Sequence, residues 1–525
     1  DPQKLLFDQT DIGITVCLIP TNHEGVEIGH RHFPLNMAFM NGPIRGANVF
    51  VPIDWIIGGS TMAGQGWRML MECLSAGRGI SLPALSTATG LLTYRMTGAY
   101  AAIRNQFNMP IGTFEGVEQS LGRIGGLAYT LQAVRVLTAT GIGLGIKPSV
   151  ATAIAKYHMT EMSRKVINDA MDIHGGRGIM LGPSNYLGRG YQAVPVSITV
   201  EGANILTRSL MIFGQGAIRC HPYAFEEMKA AALYEKDKQK AIKLFDKYIT
   251  KHVGYFISNK VRCFTLSVTR GIFSLASVDY RSKPYAKKLN WLSSGLALSS
   301  DVALLTLGGD LKRKENLSAR LGDILSHLYI ASAVIKYYND CGHQKSDWPM
   351  VEWSLQISLY KIQEAFYGFF NNFSKFGMGT ILKWFIFPFG KAFSLPKDDV
   401  VQACAKIMLS NTEARSRLTQ LCYIGEGEND PTGIIEKAFE KLMTIEPILA
   451  KLTLAQKRKE INKKLSFVQK CEAAKANGII SEEELLQLKD FETHRKKAIS
   501  VDEFNQDYAL GSQTCNPSHM NKPLE

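Results

Sequence analysis

A chain of 525 residues, 46% hydrophobic and 20% charged, has an ordinary globular composition, which excludes disorder for most of its length and leaves room for roughly three or four domains. The formal net charge of +13 suits polyanionic ligands, an anionic membrane surface or nucleic acid, or is only a basic solvated surface. Without an RRM, zinc-finger or P-loop pattern, nucleic acid ranks last.

The nine cysteines (17, 73, 220, 263, 341, 404, 422, 471 and 515) are scattered without CxxC or paired Cys/His spacing. Neither a zinc site nor a disulfide scaffold is indicated, and a reducing cytoplasm is the simplest compartment. The first residue is Asp and no secretory signal follows it. Short apolar runs at 15–20, 25–30 and 47–52, separated by Gly, Pro and Asn, read as strands. They look like the middle of a β-rich unit, so residues 1–60 are expected to be the later part of a domain and the chain part of a longer protein.

Helical periodicity begins near Gly66. Residues 66–105 place Leu70, Leu74, Leu82, Leu85, Leu92 and Met96 on one side, and Pro83 is expected to kink or break this run. Further helices are expected over 114–141 and 149–174, the second ended by Gly175-Gly176. Residues 178–200, with Pro183 and Pro195, read as turns, and a fourth helix should run from Glu201 to Gly214. Four antiparallel helices joined by short loops imply a bundle over 61–221. Beyond Pro222, residues 222–510 read as an all-helical extension, with amphipathic stretches at 225–252, 287–339 and 436–488, and 511–525 as a flexible polar tail. No uninterrupted apolar run reads as long enough to span a bilayer.

Several short motifs fall in one order between residues 51 and 202. Val51-Pro52 and Ile57-Gly58-Gly59 close the β-rich part. Gly64-Gln65-Gly66-Trp67 opens a helix bearing Ser75-Ala76-Gly77-Arg78. Arg104-Asn105-Gln106-Phe107 precedes Phe114-Glu115-Gly116-Val117-Glu118, Asp172-Ile173-His174-Gly175-Gly176-Arg177-Gly178 follows, and Glu201-Gly202 comes last. In this order they resemble the acyl-CoA dehydrogenase family. The extension, with Lys288-Leu289-Asn290-Trp291-Leu292-Ser293 and Gly308-Gly309-Asp310-Leu311-Lys312-Arg313-Lys314-Glu315, is similar to the C-terminal domain of the large bacterial FadE-type members. The resemblance implies a mainly α fold: a four-helix catalytic bundle preceded by the end of a β-barrel-like middle domain and followed by an all-helical domain. It also implies an N-terminal helical domain and the first half of the β domain before residue 1.

The implied reaction is the first step of fatty acid β-oxidation, in which a saturated acyl-CoA becomes a trans-2-enoyl-CoA. Glu201 would abstract the α-proton and FAD would accept the β-hydride. A free glutamate, with pKa about 4.3, is a weak base for this task, so desolvation must raise it while hydrogen bonds to the thioester carbonyl acidify the α-carbon. By resemblance those bonds come from the base's own backbone N–H and a ribityl hydroxyl of FAD. Ile198 and Val200 precede Glu201 and Gly202 follows it, an apolar approach and a residue that admits close ligand contact. A glutamate at a helix N-terminus, favoured by the helix dipole, is the bland alternative.

The resemblance places Arg78 and Gly202 at the substrate, Arg78 beside the carboxylate. Arg104 and Phe107 would contact FAD from the neighbouring subunit of a homodimer, the guanidinium fork suiting a pyrophosphate. Asp172, Gly175 and Gly176 would lie at its adenine end, and Ala203 and Asn204 beside the flavin. The bland readings are an Arg78 pairing with Glu72 and a Gly pair that only ends a helix. Two positions depart from the family: Ala203 stands where a threonine is usual, with Asn204 its possible substitute, and Asp172 where a glutamine is. His174 reads as a packed loop histidine.

Electrons would pass to an electron-transfer flavoprotein. An acyl-CoA oxidase using oxygen and a non-catalytic acyl-CoA-binding or membrane-associated relative stay open as alternatives. Residues 366–390, from Phe366 to Gly390, hold eight phenylalanines and a tryptophan, with Lys375, Lys383 and Lys391 nearby. They read either as a peripheral segment on an anionic inner-membrane surface or, as the favoured reading, as an aromatic helix packed on the bundle or a second copy.

Overall fold

The computed structural model describes residues 1–504 apart from 5, 36, 38–40, 217–220, 374–376 and 428. Cys220, Lys375 and the tail expected over 511–525 therefore lie outside the described residues. The opening segment contains one antiparallel pair, β1 (Val26–Ile28) against β2 (Ile44–Gly46), with Glu27 opposite Arg45. Two expected strands are not strands. Residues 15–20 find only an isolated bridge from Cys17 to Ile56. Residues 47–52 leave the ladder because Asn48 takes a positive φ of 52° and a helical turn begins at Ile53.

The bundle is formed by α1 (Gly66–Ile103), α2 (Glu115–Gly143) and α3 (Ser149–His174), which pack on one another. Its fourth member starts at α5 (Asn204–Leu206), three residues later than expected, and widens into a π-helix (Thr207–Gln215) lying along α3. Pro83 does not break α1, which runs through it for 38 residues. One missing N–H is outweighed by the burial of both flanks of the helix against α2 and α3.

The stretch expected as turns also contains a helix, α4 (Gly188–Thr199), with Pro195 inside it. Asn185 starts it: its side-chain oxygen accepts the N–H groups of Leu187 at 3.0 Å and Gly188 at 2.8 Å. Packing of α4 on α3 then holds the helix despite the proline. Between α1 and α2, a hairpin pairs β3 (Asn105–Gln106) with β4 (Met109–Pro110) across a two-residue turn in which Phe107 and Asn108 both have positive φ.

The extension is helical, as expected, through α6 (Ala224–Ala232), α7 (Lys238–Val268), α8 (Lys283–Leu307), α9 (Glu315–Asp340), α10 (Trp348–Asn372), α11 (Met378–Ile386), α12 (Asp398–Leu409), α13 (Pro431–Lys457), α14 (Phe467–Ala476) and α15 (Glu482–Ile499). It does not stand apart from the bundle. One hydrophobic core runs from Tyr94, Leu121 and Tyr129 in the bundle to Ile324, Trp353 and Met408 in the extension. At one close approach, a Cβ on Gly126 of α2 would run into the Trp353 ring of α10. A second core joins Met96 and Ile103 of α1 to Phe439, Leu488 and Phe491. Arg95 and Arg415 both bond Glu436 there. Burial alone would raise the Glu436 pKa, but the two guanidinium groups outweigh it and hold the carboxyl below its usual range.

His221 caps α6. Its Nδ1 accepts the N–H groups of Tyr223 and Ala224, which leaves the proton on Nε2 to bond Asp301 of α8 at 2.9 Å. His252 of α7 bonds Glu227 of α6 at 2.9 Å, so this group staples three helices.

Among the described residues, one stretch, α8 with the turn that follows it (Lys283–Leu311), is long and apolar enough to cross a membrane. It passes that test as a core helix, with Trp291, Leu292, Ala303 and Leu307 buried against their neighbours. Several aromatic side chains of the segment 366–390 are interior too. Phe366, Phe369, Phe370, Phe373 and Phe387 are buried, and the Phe369 and Phe373 rings stack at 5.0 Å.

Candidate active site

Glu201 sits on an elbow between α4 and α5. Its φ is +54° and that of Gly202 is +93°, so two successive residues occupy the left-handed side of the map. For a glutamate this conformation costs energy and persists only where the surroundings enforce it. Three groups enforce it. Lys156 of α3, fully buried, donates from Nζ to the Gly202 carbonyl at 2.6 Å, the Ile198 carbonyl at 3.1 Å and Asn204 Oδ1 at 2.7 Å. Thr207 donates to the Gly202 carbonyl at 3.2 Å. Asn204 Nδ2 donates to Thr160 Oγ1 at 3.0 Å and Glu161 Oε1 at 2.8 Å.

Lys156 titrates low, at about 8, because burial disfavours its charge and Arg78 repels it; Glu201 and Glu161 act in the opposite sense. Neither Lys156 nor Thr207 is conspicuous in the sequence. Only the fold brings them to the elbow.

Arg78, from α1, comes to the same place. It is 5% exposed, and a Cβ on Gly202 would lie 3.6 Å from its Nη2. Its Nη1 donates to Met211 Sδ at 3.8 Å, a weak acceptor for a cation. Burial lowers the Arg78 pKa and the nearby Glu201 carboxylate raises it. Glu201 Oε2 and Arg78 Nε are both buried without a protein partner, which marks the elbow as a place built to meet a polar ligand. Glu72, the partner in the bland alternative for Arg78, lies 3.8 Å from Lys147.

The other expected site residues fall into two groups. Asn204 turns inward. Both of its amide hydrogens and its oxygen are engaged by Thr160, Glu161 and Lys156, so it anchors the elbow and has no donor left for a flavin; exposed Ala203 precedes it. Arg104, Phe107, Asp172, Gly175 and Gly176 lie elsewhere. Arg104 is half-buried at the end of α1, and Phe107 is 87% exposed at the hairpin tip. Asp172 is exposed on the last turn of α3, close enough for its charge to raise the Arg123 pKa, after the larger effect of the Arg123–Asp169 bond. Gly175 has φ +54°, and a Cβ at Gly175 or Gly176 would meet no atom within 4 Å.

His174 is interior. It stacks on Tyr100 with centroids 4.2 Å apart, bonds the Ala170 carbonyl and the Tyr186 hydroxyl, and is held neutral by burial with its pKa lowered to about 3. Arg177 lies over the Tyr186 ring at 5.1 Å and donates to the Ala498 carbonyl, tying this loop to α15.

Comparison with known proteins gives a consistent picture. The family model described as acyl-CoA dehydrogenase, C-terminal domain, matches residues 64–212, and the one described as acyl-CoA dehydrogenase, C-terminal, bacterial type, matches residues 218–504. A 100-residue stretch, 19% of this chain, is 68% identical to 58% of the Proteus mirabilis protein named HemX. Over 195 residues, 37% of the chain, it is 29% identical to 29% of the probable acyl-CoA dehydrogenase FadE10 of Mycobacterium tuberculosis. The chain thus spans less than two thirds of either relative. Among solved structures, an acyl-CoA dehydrogenase from Bacillus anthracis complexed with FAD superposes with a TM-score of 0.58 at 14% identity, covering 76% of this chain and 65% of that one, a likeness of fold. With one family model alone covering more than half of its length, the chain belongs to the acyl-CoA dehydrogenase family.

Proposed function

We propose that the chain carries the base and part of the cofactor site of an FAD-dependent acyl-CoA dehydrogenase, which oxidises a saturated acyl-CoA to its trans-2-enoyl thioester. The observation that carries this reading is the pair of buried, unpartnered atoms at the elbow, Glu201 Oε2 and Arg78 Nε. A carboxylate and a guanidinium held out of water at a strained turn suit a reaction that removes a proton and stabilises charge.

In this reading Glu201 takes the α-proton. Its backbone N–H holds the thioester carbonyl and acidifies the α-carbon. Gly202 keeps the wall beside Arg78 low, because a Cβ there would intrude between Arg78 and Thr207. Arg78 steadies the negative charge of Glu201 and of the substrate. Lys156 and Thr207 fix the elbow so that the carboxylate arrives in one orientation.

The residues fit FAD. The open backbone at Gly175 and Gly176 admits close approach, and Asp172 and Ala203 would line the cofactor. Arg104 and exposed Phe107 would contact the cofactor of a second subunit in a homodimer. FAD supplies a two-electron acceptor for the β-hydride. An electron-transfer flavoprotein would reoxidise it.

The test is anaerobic mixing of the flavin-loaded protein with saturated acyl-CoAs of graded chain length. Bleaching of the flavin with formation of the 2-enoyl thioester is expected, and a flavin that stays oxidised with every acyl-CoA defeats the reading. Stoichiometric peroxide on admitting air would assign the site to an oxidase.

A further inference from the structure

The exposed apolar side chains of the segment 366–390 belong to a larger patch that the sequence divides between distant segments. On α7, Val253, Ile257, Val261, Phe264 and Val268 recur every three or four residues and are all exposed. The turn after α7 continues the surface with Ile272, Phe273 and Leu275, the last two 73% and 93% exposed. From α11 come Ile381 and Trp384, the latter 67% exposed, and Phe389 follows. Contacts join the pieces: the Phe264 and Phe385 rings lie 5.3 Å apart, and the Arg270 guanidinium sits 5.6 Å over Phe389.

The charge carried by the segments that form this patch has one sign. Residues 253–275 contain Lys260, Arg262 and Arg270 and no Asp or Glu, and residues 378–390 contain Lys383 and no Asp or Glu. None of these four cations has an ion-pair partner among the described residues. Arg262 lines a shallow hollow together with Phe273 and Leu275, so a cation and two apolar tips share one surface.

We propose that this face, built from α7, the 271–275 turn and α11, docks the protein on an anionic lipid bilayer. Aliphatic and aromatic tips enter the interfacial region while the interleaved cations meet lipid phosphates. An exposed tryptophan beside lysine is the side-chain pair that the bilayer interface favours. A second copy fits the patch poorly, since a twofold contact would set these cations against themselves without an acidic residue between them.

The experiment is flotation of the full chain with vesicles of phosphatidylcholine alone and of phosphatidylcholine mixed with phosphatidylglycerol. The chain should float with the anionic vesicles, be released by salt, and stay behind with the neutral ones. Phe273→Asp with Leu275→Asp should lower partitioning roughly tenfold or more, and Arg262→Glu with Arg270→Glu about as much, at roughly fivefold per cation lost. Melting temperatures should be unchanged, because all four side chains are exposed. Failure of the unaltered chain to float with anionic vesicles overturns the proposal, as does flotation of both double variants equal to that of the unaltered chain. Conversion of an oligomer to a monomer by Phe273→Asp/Leu275→Asp, without vesicle binding by the parent, would overturn it in favour of a contact between copies.

Discussion

Replacing Lys156 by methionine separates the geometry of the elbow from the stability of the fold. The substitution removes the donor to the Gly202 and Ile198 carbonyls and to Asn204 Oδ1. Gly202 keeps the Thr207 hydroxyl at 3.2 Å; the other two acceptors lose their Lys156 bond, at about 1–3 kcal/mol each. Against this, a lysine held at about 8 instead of 10.5 by burial and by Arg78 carries a cost of about 3 kcal/mol at neutral pH, which the methionine relieves. The sign follows from the lowered folded pKa. The unfolded chain keeps the proton up to about pH 10.5, so this cost shrinks as the pH rises from about 8. The two contributions nearly cancel, and the melting temperature should move by only a few degrees.

The elbow has no such compensation. Glu201 at φ +54° stores about 1–3 kcal/mol of strain, which Lys156 helps to hold. Once it relaxes, a base displaced by about 1 Å loses on the order of a hundredfold in rate. Stopped-flow reduction of the bound flavin by acyl-CoA should therefore slow about a hundredfold with KM changed only a few-fold. A Lys156→Met protein that reduces its flavin within about threefold of the parent rate would show that Lys156 does not position the base.

Three further outcomes follow from the same structure. Gly202→Ala, at φ +93° and with its Cβ 3.3 Å from Thr207 Oγ1, should destabilise by about 1–3 kcal/mol and slow flavin reduction; denaturant unfolding and the same rate assay measure both. Gly126→Ala would press a methyl into the Trp353 ring far from the elbow, so it should lower the melting temperature by an overpacking cost of about 1–3 kcal/mol or more and leave the rate of the folded fraction unchanged. Burial lowers the His158 and His174 pKa values to about 3 and that of His327 well below the ordinary range. These rings protonate near 6.5 only when the chain unfolds. The stability they allow is complete above that pH and is lost as the pH falls toward 3, by up to about 1.4 kcal/mol per pH unit for each ring. Melting temperatures that stay flat from pH 6.5 to 5 would contradict this.

Much of the fold is legible because long amphipathic helices repeat their pattern over many turns. The boundaries of α3 and the glycine that ends it agree with the sequence reading. The failures have local causes. Pro83 and Pro195 carry a strong breaking signal, yet packing on neighbouring helices decides the outcome, and only the tertiary structure holds that information. Residues 47–52 have strand-like composition but no partner at the right place.

At the site, Glu201 and Arg78 stand out because their short motifs fall in a family order, and the structure brings the two together. Asn204 was legible only as a polar side chain next to the base. Its inward turn depends on Lys156 and Thr160, more than forty residues away. The apolar face of α7 was hidden in the same way, since in the sequence it is one more amphipathic helix and only burial shows which face is left uncovered.

The central claim is that Glu201 is the base. Glu201→Gln keeps size and polarity but removes the proton acceptor. In the flavin-loaded protein, mixed anaerobically with a saturated acyl-CoA that the parent oxidises, the account predicts that the variant still binds the thioester, seen as a shift of the flavin spectrum, while the flavin stays oxidised. Bleaching at the parent rate would contradict it.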